Sequence, residues 1–200
     1  MLSVYFELGF GHLTEAGAWD HQLFLATIAL AYPAALWRRW VGLATAFALG
    51  HTASIVALAL GGVPAGMPWV EPAIAASIVA LAAYDLWRLR VDPLGVRSGF
   101  RQNPTTPSLV LAFGLVHGLG FGSAFVPVMT RGVGGGELAA GLAAFTLGVE
   151  AAQLLILSGL WAVAFALFDL WQWRPLFLRR ALLICIALAG TAKLAALLSA

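Results

Sequence analysis

Four histidines and a handful of carboxylates are the groups of this 200-residue chain best suited to chemistry, and most lie in or beside long apolar runs. His21 directly follows Asp20, while His51, His117 and Glu150 each interrupt a hydrophobic stretch. An ionisable side chain inside a bilayer costs about 2.5–3.5 kcal/mol and normally faces a cavity or a partner. At 1.5 Å per residue, His51 lies about 15 Å into its run, and His117 and Glu150 reach similar depth in theirs. This predicts a midplane group of His51, His117 and Glu150, with Asp20 and His21 forming a mouth above it. Neutral imidazoles and carboxylates are borderline ligands that suit nickel, cobalt, zinc or copper. Gln153, one turn beyond Glu150, shares its helix face as a supporting donor. His12 and Glu71 are placed as accessory residues near the mouth. Each has a plainer alternative: a membrane histidine as an interhelical donor, Asp20 as a helix cap, Glu71 as a partner of a helix dipole.

The elements that must position these groups follow from composition. Hydrophobic residues make up 62% of the chain and charged residues 10%, against about 25% charged in a soluble domain. So little polar surface requires lipid as the solvent. The basic pI of about 9.1 does not indicate nucleic acid, because the arginines stand in short clusters between apolar runs. A spanning helix needs about 20 mostly apolar residues, and six runs qualify: 21–37 with a kink at Pro33, 41–60, 71–87, 108–125, 138–168 and 181–198. The expected fold is therefore all-α, a single polytopic bundle of about six transmembrane helices, with seven as an alternative. Residues 1–18 carry Glu7, His12 and Glu15 without a basic leader, so they are expected to form a short interfacial or re-entrant segment rather than a cleaved signal.

Orientation follows from the loops. Arg38, Arg39, Arg88, Arg90, Arg97, Arg101, Arg174, Arg179 and Arg180 share one side, including the polar linker 88–107; Arg131 and a snorkelling Lys193 stand on the other. That asymmetry places the nine in the cytoplasm and both termini outside the cell membrane. Asp85, Asp92 and Asp169 read as solvated partners of the inner arginines. Cys185 reads as a small residue in an apolar run. The segments Ala46–His51 and Ala112–His117 echo one another and run in the same direction.

Four of these segments resemble one family. Gly17-Ala18-Trp19-Asp20-His21-Gln22-Leu23-Phe24 is similar to the G-x-D-H-x-L-F signature of HupE/UreJ proteins, with one additional residue. Thr45–Thr52 resembles T-A-F-T-L-A-H-S, Phe113–Phe121 resembles F-G-L-I-H-G-L-G-F, and Phe145–Gln153 resembles F-N-L-G-V-E-x-x-Q. The family is associated with nickel uptake beside hydrogenases and ureases. The resemblance implies a metal-handling set of Asp20, His21, His51, His117 and Glu150 in a secondary permease. It makes Ni2+ the expected substrate, with Zn2+ or Co2+ as alternatives. His12 is followed by Leu13 rather than proline, and Thr146 replaces the asparagine, which brings the chain closer to the second branch of the family. The expected partners are lipid and a metal ion, not nucleic acid, with self-association open. A transporter is favoured over an enzyme. The runner-up is a zinc-dependent intramembrane hydrolase of a lipid-like substrate, although no two histidines are four apart as such enzymes usually have them. A metal-binding accessory or sensor protein is the third reading.

Overall fold

The computed structural model describes residues 2–93, 105–129, 134–171 and 175–199. Arg97, Arg101, Arg131 and Arg174, used above for orientation, lie outside the described residues, as does the centre of the 88–107 linker. Among the described residues there are seven α-helices and no strands: α1 (Leu2–Thr14), α2 (Trp19–Ala31), α3 (Trp37–Ala59), α4 (Val70–Val91), α5 (Thr105–Met129), α6 (Gly135–Ala164) and α7 (Pro175–Leu198). A π-helical turn, Phe165–Leu170, continues α6. Five segments are long and apolar enough to cross a bilayer: Ala34–Ala59, Val70–Val91, Pro107–Pro127, Gly135–Leu170 and Leu176–Leu198. The protein is a helical membrane bundle.

The first expected span, 21–37, is divided. Pro33 has no N–H to continue the helix and pushes the residue before it toward extended backbone; Tyr32 is extended accordingly, at φ −129° and ψ 149°. A 3-10 turn, Ala34–Leu36, then leads directly into α3. The 13 residues left to α2 cover only about 20 Å. The bundle thus has five full-length helices and two short ones, α1 and α2, joined by a tight turn.

Ending α2 early leaves its last carbonyls without intrahelical partners. Two arginines supply them. Arg179, only 1% exposed, donates from Nη1 to Leu30 O (2.7 Å) and Tyr32 O (3.1 Å). Arg88 donates to Ala31 O (2.8 Å) and to the Tyr32 hydroxyl (2.7 Å). Cations at a helix C-terminus also complement its dipole. Asp85 belongs to the same layer, buried and 3.8 Å from Arg88 Nη1. It is not the solvated residue expected, because α4 continues to Val91 and carries Asp85 into the packed interior.

Glycine sets the helix spacing where the histidines sit. A Cβ on Gly50 of α3 would overlap the Leu111 carbonyl of α5, and one on Gly114 or Gly118 would overlap the carbonyls of Phe47 or His51. Higher residue numbers on α3 meet higher numbers on α5, so the two helices run parallel, with backbones in direct contact. Gly9 and Gly148 make a similar contact between α1 and α6. The α4–α7 pair is antiparallel, joined from Arg180 at Leu89 to Lys193 at Glu71. Gly114→Val should separate α3 from α5 and lower stability by about 1–3 kcal/mol. Unfolding in mixed micelles would measure this, with Gly42→Val as the control, since nothing lies within 4 Å of a Cβ there.

Candidate metal centre

The turn between α1 and α2 and the α3–α5 seam bring all four histidines together. His12 lies near the end of α1 and His21 near the start of α2, so the short turn between them holds both at one level. His51 and His117 come from the middle of α3 and α5, at the level where Gly118 meets the His51 backbone. Ring centroids are 4.7 Å apart for His12 and His21, 5.6 Å for His12 and His51, and 5.3 Å for His21 and His117. One nitrogen each from His12, His21 and His51 lie within 4.8 Å of one another.

Hydrogen bonding decides which nitrogens are available. His21 Nδ1 is 2.9 Å from Asp20 Oδ1, and His117 Nδ1 is 2.8 Å from the Phe113 carbonyl. A carboxylate or carbonyl oxygen only accepts, so both Nδ1 atoms donate, and in the neutral imidazole Nε2 is then the atom that keeps a free lone pair. This carboxylate–histidine pairing is the arrangement that orients metal-ligating imidazoles. Among the described residues, Nε2 of His12, His21 and His117 and both ring nitrogens of His51 are buried without a hydrogen-bond partner. Leaving a buried polar atom unsatisfied costs about 1–3 kcal/mol. Several together in one cluster could hold a borderline cation.

A polar cavity of about 280 Å³ lies over this cluster, lined by His12, Glu15, Asp20, His21, Glu71 and His117 among others. Its lining includes Glu15 and Glu71, both exposed, while the neighbouring His51 is fully buried. Phe47, one turn before His51 on α3, has its ring 6.1 Å from it and stacks on Phe24 at 4.4 Å. The Phe145 ring stands 6.3 Å from His51, against Phe121 and Phe125.

The expected residues separate into two levels. His12, expected as an accessory group, stands in the cluster, 4.7 Å from His21 and 5.6 Å from His51 between ring centroids. Its position depends on α1 packing along α6, which the polar appearance of residues 1–18 does not suggest. Asp20 supports His21, and Glu71 stands on the cavity rim. Glu150 lies apart from the histidines: Thr45 Oγ1 donates to its Oε1 at 2.7 Å. Thr45 is six residues before His51, about 9 Å along α3. In the orientation that satisfies both ends of its amide, Gln153 donates to Glu150 Oε2 (3.1 Å) and Ala44 O (3.3 Å). Thr146, where the resembling segment has asparagine, meets Thr52 at 2.9 Å and ties α6 to α3. Lys193, expected to snorkel near the outer end of its run, has its Nζ 3.7 Å from Asp20 Oδ2. Its position inside the last apolar run was the available signal.

A sequence model of HupE / UreJ proteins matches residues 1–197. The chain belongs to the HupE/UreJ family. This is a membrane family associated with nickel and cobalt transport. No curated protein and no solved structure matches this HupE/UreJ chain. Three of its four histidines, His21, His51 and His117, stand in segments that resemble the family, while His12 joins them from α1.

Cobalt(II) titrated into the protein in detergent should give the visible absorption of a nitrogen-ligated ion, and His51→Ala should abolish it. Asp20→Asn should weaken binding by about 10–100-fold without eliminating it, the usual effect of losing a residue that orients a ligand.

Proposed function

We propose that the protein is a membrane permease for a divalent transition-metal ion, with nickel as its substrate. The observation that carries this reading is the clustering of unpartnered imidazole nitrogens beside a polar cavity. Membership of a family associated with nickel and cobalt transport supports it. So does the donor chemistry, since imidazole suits nickel, cobalt and zinc better than the hard ions magnesium and calcium.

In this mechanism the ion loses water among Glu71, Glu15 and Asp20 at the mouth. It then binds His12, His21 and His51, with His117 adjacent. Glu150, held by Thr45 and Gln153, is the next acidic stop on the path inward. Passage requires the stacked Phe24 and Phe47 rings to part. His12 and His21 stand on α1, packed along α6, and on α2, packed against α4 and α6, while His51 and His117 stand on the α3–α5 seam. Displacement of the short helices relative to the seam would open and close the site, as alternating access demands. The mouth faces outward, and the end bearing Arg88 and Arg179 faces the cytoplasm of the cell membrane. A transport site must also release its ion, and proton competition for the imidazoles provides one means.

The test is nickel uptake into proteoliposomes. His12→Ala and His51→Ala should each reduce uptake by about tenfold or more while the protein remains folded. Uptake that both variants leave unchanged would remove the histidine cluster from the mechanism. Stoichiometric zinc that survives chelation, without uptake, would turn the assignment to the intramembrane hydrolase or to a fixed-metal accessory protein.

A further inference from the structure

Lys193 is the only lysine in the chain. Its ammonium lies 3.7 Å from Asp20 Oδ2 and 3.9 Å from Glu71 Oε2, and 4.7 Å from the centre of the Trp19 ring. The side chain is 21% exposed, so most of it is folded into the bundle. Asp20 therefore has two tasks. Its Oδ1 orients His21, and its Oδ2 holds a positive charge. These carboxylates are also the groups that would draw a divalent cation into the cavity.

We propose that Lys193 is a tethered cation that competes with the incoming metal ion for Asp20 and Glu71, lowering the affinity of the site and promoting release. This rests on reading the histidine cluster as a metal site. An ammonium has no lone pair to offer a metal, and like charges this close repel strongly in a partly buried setting. When a divalent ion occupies the imidazoles beside Asp20, Lys193 must yield. Its four-carbon stem lets it turn toward Glu71, whose side chain is 55% exposed. When the ion leaves, Lys193 pairs with Asp20 again and disfavours immediate rebinding. A purely structural lysine would also join α7 to α2 and α4, but it would not respond to the ion.

Because the lysine is unique, acylation by an amine-reactive ester, mapped by mass spectrometry, reports on it alone apart from the terminal amine, which falls in a different peptide. The native protein in detergent is titrated with cobalt(II), whose visible absorption reports independently on the histidines. Magnesium at matched ionic strength is the control. Saturating cobalt should raise Lys193 acylation about threefold or more, because the amine leaves its carboxylates, and magnesium should not. Lys193→Met should bind cobalt about tenfold more tightly and release it more slowly, while Lys193→Arg, which keeps the charge, should stay near the native affinity. Bound cobalt with unchanged or slower acylation would overturn the proposal, as would an equal response to magnesium or a Lys193→Met protein that binds no more tightly. If Lys193→Met does not fold, the labelling of native protein still decides. Absence of any cobalt absorption in the native protein would instead overturn the metal-site reading, and this inference with it.

Discussion

Direct backbone contact between α3 and α5, made possible by Gly50, Gly114 and Gly118, is the constraint on which the rest of the structure depends. Lipid offers no hydrophobic drive between helices, so close packing of small residues has to supply much of the attraction. The contact falls at the level of His51 and His117, and it leaves no freedom in their relative height. Two imidazoles are thereby fixed on a rigid pair, and α1 and α2 have only to deliver two more.

That delivery depends on α2 being short. Pro33 stops the helix, and its exposed carbonyls would be costly in an apolar environment. Arg88 and Arg179 satisfy them from α4 and α7. The buried arginines are therefore structural at one end of α2, while its other end presents Asp20 and His21 to the cavity. A single 13-residue helix connects a charged anchoring layer to the histidine cluster. Any movement of α2 must change both.

The electrostatics of the mouth are mixed, because a cation of the chain itself lies beside its carboxylates. Asp20 and Glu71 supply negative charge, Lys193 offsets part of it, and the histidine rings lie just beyond. Tight binding of a cation there would favour removing the lysine, whereas rapid exchange favours keeping it. The stacked Phe24 and Phe47 rings pack against His21 and His51 one turn farther from the mouth.

Much of this architecture was legible in the sequence. Scarce charge and long apolar runs require a membrane bundle whatever the packing, because no aqueous fold could cover that surface. The spacing of His51 and His117 within their runs set their depth, since helical rise is invariant, and the glycines around His117 signalled close approach. What the sequence could not convey was which distant groups share a site. His12 gains its place only because α1 packs along α6, and Glu150 separates from the histidines only because α6 meets Thr45 lower on α3. Asp85 and Arg179 look like loop charges until α4 and α7 carry them into the interior. Lys193 joins Asp20 across 173 residues of chain. Depth is a local property of one helix and can be read from its residues. Lateral proximity depends on how helices turn and pair, and only the tertiary structure decides that.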